Sequence, residues 1–185
     1  MRVISGIYRR RRFEVPKTFK ARPTTDFAKE NLFNVLTANY LSFEEEKPVA
    51  LDLFAGTGSI TIELISRGCS EVLSVEKDRS HYLFIKEVLK KLGTDVCKPI
   101  RGDVFKFISS CKMKFDFIFA DPPYALKELN TLPQLILEKG MLNPGGLLVF
   151  EHGDTDKFND HPLFVDHRKY GSVNFSIFKM PFEEL

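Results

Sequence analysis

VALDLFAGTGSITIELISRGCSEVLSVE, residues 49–76, decides the fold of this chain. Its first six residues are a nearly continuous apolar run, the pattern of a strand buried on both faces. Gly56 and Gly58 break that run, and 59–68 resumes with helical spacing until Gly68 stops it. A second apolar run, 71–76, follows. Strand, glycine turn, helix and strand in that order begin a parallel sheet wound by right-handed crossovers.

The alternation continues downstream. An amphipathic helix is predicted over 78–93, a strand over 96–100, a short helix over 103–111 and a strand over 115–121. A helix over 126–139, which Pro133 kinks or divides, leads to a turn at 143–146 and a strand at 147–151. Two last strands, 163–169 and 173–179, join through Tyr170, Gly171 and Ser172 as an antiparallel hairpin. Upstream, Thr24, Thr25 or Asp26 caps a helix over 27–40, and two short strands, 2–8 and 12–15, flank a basic turn. The expected architecture is one α/β domain over 1–185, with a β-hairpin arm at 1–23 and a Rossmann-like core at 24–185.

Composition agrees with a packed soluble domain: of 185 residues 43% are hydrophobic, and 18 Phe with no Trp are read mostly as core filling. No run of about 18 apolar residues occurs, so no membrane span is expected. The start, MRVISGIYRRRR, has no apolar stretch of signal-peptide length, which predicts a cytoplasmic protein. Cys69, Cys97 and Cys111 show no CxxC spacing, so reduced thiols and no metal site are expected. The net charge of +2 conceals an asymmetry: residues 1–22 carry +7 and the remainder −5. Such an arm suits a polyanion met at one place, with Arg9, Arg10, Arg11, Arg12 and Arg22 as candidate RNA contacts.

Asp52, Gly56 and Gly58 sit where the first strand turns into a helix, the end at which such sheets bind ligands. Thr61 replaces the third glycine of a dinucleotide-binding GxGxxG, which disfavours a pyrophosphate. A carboxylate at Asp52 suits the cationic sulfonium and ammonium of S-adenosylmethionine better. Glu76 closes the next strand, where it can accept from both hydroxyls of a ribose. Asp103, beside Val104, is placed to accept from an adenine amine and also to cap a helix.

The fourth strand ends in Asp121–Pro122–Pro123–Tyr124. An exocyclic base amine is a poor nucleophile because its lone pair is delocalised into the ring. The Asp121 carboxylate and the Pro122 carbonyl can hold its two N–H bonds, favouring a pyramidal nitrogen whose lone pair faces the methyl donor. Pro122 and Pro123 stiffen the loop, and Tyr124 offers a face on which the base stacks.

DLFAGTGSITIE (52–63), VEKD (75–78) and DPPY (121–124) resemble the class I methyltransferases that modify exocyclic amines. MRVISGIYRRRRFEVP (1–16), ARPTTDFAKENLFNVL (21–36) and KYGSVNFSIFK (169–179) narrow the resemblance to the RsmD family of 16S rRNA guanine-N2 methyltransferases. It implies a mostly parallel seven-stranded sheet, a monomer, and action on one guanine of 16S rRNA within the small ribosomal subunit. By the same likeness Asp52, Phe54, Gly56, Thr57, Gly58, Glu76, Lys77, Asp103 and Val104 line the S-adenosylmethionine pocket, and Arg22, Pro23 and Thr24 lie near the active site. The stretch Ala28–Lys29–Glu30 departs from the family, where a basic residue more often precedes Arg-Glu. Two other readings stand beside this one. A DNA adenine or cytosine amino-methyltransferase uses a similar tetrapeptide but carries a recognition domain, for which 185 residues leave no space. A non-catalytic RNA-binding protein could keep the fold, though intact glycine-loop and DPPY motifs argue against it.

Overall fold

The computed structural model describes residues 1–19, 24–154 and 158–182. Its centre is the strand read first: β1 (Val49–Leu53) pairs in parallel with β2 (Glu71–Glu76) on one side and β4 (Phe115–Ala120) on the other. β3 (Cys97–Arg101) extends the first side. β5 (Leu142–His152), then the antiparallel β7 (Val173–Lys179) and β6 (Phe164–Tyr170), extend the second. The order is therefore 3-2-1-4-5-7-6. The direction of winding reverses between β1 and β4, which opens a crevice at their carboxyl ends.

Side-chain alternation assigns the helices to the two faces. Ala50, Phe117 and Phe119 join the core under α1 (Asp26–Asn39), α3 (Ser59–Arg67) and α4 (Arg79–Leu92). Short α2 (Phe43–Glu46) adds Phe43 to that layer. Leu51, Leu53 and Ile118 join the core under α5 (Val104–Ser110) and α6 (Leu132–Glu138). Both faces of the sheet are covered, so β1, β2 and β4 are apolar at every position but Asp52, Glu71, Ser74, Glu76 and Asp116. No helix among the described residues is long and apolar enough to cross a membrane.

The α/β order and the seven-stranded sheet agree with the sequence reading, with four informative differences. The turn expected at 143–146 is the start of β5: between Phe115 and Phe117 the register shifts, which leaves residues 143–146 without partners on β4. Asp116 holds the bulge by accepting from Asn143 Nδ2 at 2.7 Å and from the Val49 amide at 2.9 Å. The helix expected over 126–139 is a 3-10 turn, Leu129–Thr131, followed by α6 with Pro133 in its first turn, where its missing N–H costs nothing. Phe27, at the start of the helix expected over 27–40 and read with the other Phe as core filling, is 65% exposed and meets the edge of Tyr170.

The fourth difference is the N-terminal segment. The strands expected at 2–8 and 12–15 reduce to one antiparallel bridge, Arg2 with Arg12. The reason is competition for backbone donors. The amides of Ile4 and Ser5 bond to the Glu63 carboxylate at 2.9 and 3.1 Å. Those of Ile7 and Tyr8 bond to the carbonyl and the hydroxyl of Ser66. These N–H groups therefore serve α3 rather than a partner strand. Gly6, at φ +82°, crosses so close that a Cβ there would collide with the Ser66 carbonyl.

Beneath this junction lies a buried ionic cluster. Glu63, fully buried, also accepts from Arg67 Nε at 2.8 Å and faces Lys29 Nζ at 3.5 Å. Lys29, 1% exposed, donates to the Arg2 carbonyl at 2.7 Å and to Ser59 Oγ at 3.0 Å. Burial lowers the Lys29 pKa, while the Glu63 charge works against that shift. The departure at Ala28–Lys29–Glu30 thus has a structural meaning: Lys29 is the buried cation that ties the arm, α1 and α3 together.

Candidate active site

A cavity of about 900 Å³ opens at the carboxyl ends of the central strands, on the crevice where the winding reverses. Residues from four strand ends line it, within 52–60, 76–81, 103–105 and 121–126. Of the residues singled out from the sequence, all four of 121–124 and every cofactor candidate except Gly58 line it.

The glycine turn has an unusual backbone. Phe54, Gly56 and Gly58 all take positive φ, at +62°, +56° and +77°. Two glycines do so at no steric cost, whereas for Phe54 a left-handed conformation costs roughly 1–2 kcal/mol. Strain of this kind gathers where the backbone must face a ligand. Gly58 is set back from the cavity: it caps α3, and a Cβ there would meet Ile85 at 2.9 Å. It shapes the turn rather than lining it.

Glu76 is fixed from both sides by backbone donors, Oε2 by Gly56 N at 2.7 Å and Oε1 by Asp78 N at 2.7 Å. Each oxygen keeps a lone pair, so the carboxylate is preorganised and still able to accept. His81 stands beside it, Nδ1 at 3.9 Å from Oε1, with the Phe19 ring 4.6 Å from its own. His81 also lines the cavity, and no motif in the sequence marks it. Asp103 caps α5 through the amides of Phe105 and Lys106 and meets Lys77 Nζ at 3.2 Å. The cap to Lys106, aided by Lys77, holds its pKa below the ordinary value.

Asp52 is the least solvated of these acids. Only 1% exposed, it accepts from Thr61 Oγ1 at 2.6 Å, and burial pushes its pKa up to about 7. Thr61, where a dinucleotide binder would have glycine, is therefore the partner of Asp52. Asp121 sits beside the start of the glycine turn, its amide bonded to the Leu53 carbonyl at 3.3 Å. Desolvation first, and the charge of Glu151 second, raise its pKa well above the ordinary carboxylate range. Pro122 is buried, while Pro123 and Tyr124 are exposed. The Tyr124 hydroxyl donates to Glu151 Oε1 at 3.2 Å. Glu151, at the end of β5, is invisible to motif reading, because nothing in LLVFE distinguishes it from a strand-end residue facing water.

Thr24 reaches the cavity, whereas Arg22 and Pro23 lie outside the described residues. Arg9, Arg10, Arg11 and Arg12 do not contribute to it. They are exposed on the turn of the N-terminal segment, with Arg11 reaching the Lys91 carbonyl at the end of α4. The cavity is lined by carboxylates at four strand ends, a set of acceptors that suits a cationic sulfonium, the hydroxyls of a ribose and an amine. The open glycine turn leaves room for such a molecule, so the residues present fit S-adenosylmethionine.

The family model described as Conserved hypothetical protein 95 matches residues 1–179. The chain is 32% identical over 172 residues to Ribosomal RNA small subunit methyltransferase D of Haemophilus influenzae, covering 89% of this chain and 82% of that protein. A hypothetical protein of Thermus thermophilus has a similar solved structure, with TM-score 0.84 and 28% identity over 97% of this chain and 99% of that one. An RNA methyltransferase of Salinibacter ruber, solved in complex with S-adenosyl-L-homocysteine, shares the fold at TM-score 0.64 and 17% identity, covering 89% and 96% of the two chains.

Proposed function

This chain belongs to the RsmD family, and from that premise we propose that it methylates the exocyclic N2 amine of one guanine in small-subunit ribosomal RNA. That it is an S-adenosylmethionine-dependent rRNA methyltransferase follows from its relatives and its fold. The observation that supports the finer reading is a single cavity lined both by the glycine turn, with Glu76 and Asp103, and by residues 121–124.

When bound, S-adenosylmethionine supplies an electrophilic methyl group on sulfur. The chain supplies everything that aims an amine at it. Glu76, held by two amides, accepts from the ribose hydroxyls without having to reorganise. Asp103 and Val104 take the adenine edge and face, and Asp52 lies nearest the cationic end. Asp121 and the Pro122 carbonyl accept the two N–H bonds of the target amine and hold the nitrogen pyramidal. Tyr124, 51% exposed, gives a flipped base an aromatic face at the rim. The exposed arginines 9–12 and Arg22 take phosphates of the surrounding RNA.

The test is transfer of labelled methyl from S-adenosylmethionine to small subunits purified from a strain lacking this protein, with mass mapping of the product. One N2-methylguanosine is expected in the small-subunit RNA, and none with Asp121→Ala. A methyl group on another atom, or on DNA in preference to RNA, would refute the assignment.

A further inference from the structure

We propose that Glu151 is a positioning residue of this site, holding the Tyr124 ring at the angle at which a flipped base stacks on it. The inference rests on the reading of residues 121–124 as the base-holding loop, and it goes beyond it by giving that loop a second support on the neighbouring strand.

Residues 121–124 follow β4, and Glu151 stands near the end of β5, the next strand over. Tyr124 is half exposed, so packing alone leaves its ring free to turn about its side-chain bonds. Its one hydrogen bond among the described residues runs from the hydroxyl to Glu151 Oε1 at 3.2 Å. Glu151 itself is 6% exposed, and its Oε2 is buried with no hydrogen-bond partner among the described residues. No ion pair between described residues reaches Glu151 or Asp121. A carboxylate left this way is expensive to keep in place of an apolar side chain, and a structural strand end has no need of it. Burial and the neighbouring Glu151 charge both raise the Tyr124 pKa, so the phenol stays protonated and serves as the donor. Glu151 therefore accepts the bond that keeps an exposed ring at one orientation.

The experiment is steady-state methylation of small subunits by Glu151→Ala, Glu151→Gln, Tyr124→Phe and Tyr124→Ala, with heat unfolding to confirm that each variant folds. Tyr124→Phe and Glu151→Ala each remove the same bond, so each is expected to raise KM for subunits roughly fivefold or more while S-adenosylhomocysteine affinity of Glu151→Ala stays at the wild-type value. The double variant should be no worse than either single one, the mark of a shared interaction. Glu151→Gln keeps an acceptor for the hydroxyl and should restore KM. The proposal is overturned if Tyr124→Phe keeps the wild-type KM, or if the two effects multiply. Should Glu151→Ala fail to fold, Tyr124→Phe and Glu151→Gln decide alone. If Tyr124→Ala is itself as active as wild type, the reading of the loop falls and this inference falls with it. A damaging Tyr124→Ala beside a harmless Tyr124→Phe removes only the role of Glu151.

Discussion

Replacing Glu63 by glutamine tests the buried cluster that joins the arm to the core. The substitution preserves shape and removes one charge. Glu63 uses Oε1 for Ser5 N and Arg67 Nε, and Oε2 for Ile4 N and Lys29 Nζ. A glutamine can place its oxygen on only one of those pairs, and its amide then points donors at the other. Lys29 also loses its buried counter-charge while remaining 1% exposed. Breaking a buried pair by removing one partner costs about 3–5 kcal/mol, a large share of the roughly 5–15 kcal/mol that a domain has. At about 2–4 °C per kcal/mol for this size, Tm should fall by roughly 6–20 °C. Scanning calorimetry on the ligand-free protein reads this directly. Pairing Glu63→Gln with Lys29→Met removes both charges together, keeps an acceptor for the arm, and should recover part of the loss. A single Glu63→Gln variant that melts within about 2 °C of wild type would show that the cluster contributes little.

Three further outcomes are expected. Glu76→Ala removes a preorganised acceptor worth roughly 1.5–3 kcal/mol per charge-assisted bond, so calorimetric affinity for S-adenosylhomocysteine should drop at least tenfold, and unchanged affinity would refute the ribose assignment. Replacing Arg9, Arg10, Arg11 and Arg12 together by Gln should leave cofactor affinity alone but flatten the salt dependence of RNA binding by about 0.7 in the log–log slope for each phosphate no longer neutralised, and an unchanged slope would leave these arginines as solvated side chains. Burial raises the Asp52 pKa from 3.8 to about 7, so the folded state binds more protons than the unfolded one in that window, and stability falls as pH rises from 3.8 to about 7. Asp52→Asn, which can still accept from Thr61, should flatten that decline by up to a few kcal/mol; equal pH dependence of Tm in the two proteins would contradict the shift.

The motifs legible in the sequence are those whose chemistry is local. Gly56 and Gly58 announce a tight turn after an apolar strand, and Asp121 to Tyr124 set a carboxylate, a rigid turn and an aromatic ring within four residues. Apolar runs, period-two and helical spacing place most of the strands within a residue or two, because both faces of this sheet are covered. The reading fails where local chemistry and tertiary demand disagree. Asn143–Gly146 has the composition of a turn, yet it runs on into β5, because Asp116 holds the Asn143 side chain and residues 180–181 pair with the backbone of Gly145 and Gly146. Residues 2–8 look like a strand, but Ile4, Ser5, Ile7 and Tyr8 spend their donors on α3. Glu151, His81 and the pair of Lys29 with Glu63 are out of reach for a different reason. Each acquires its role from a residue on another element, and no spacing rule connects them.

The fit of Gly6 against the Ser66 carbonyl also bears on how such enzymes can be recombined. An arm held only by its charge could be exchanged between relatives as a cassette, taking its RNA preference with it. Here the arm is keyed to one helix: Ile4 and Ser5 read the Glu63 carboxylate, Tyr8 reads the Ser66 hydroxyl, and Gly6 needs the clearance between them. That helix begins at the glycine turn, so the arm and the turn are coupled through it. A chimera that joins the arm of one relative to the core of another should fold well only if Lys29, Glu63 and Ser66, or a matched set of replacements, cross the junction with it.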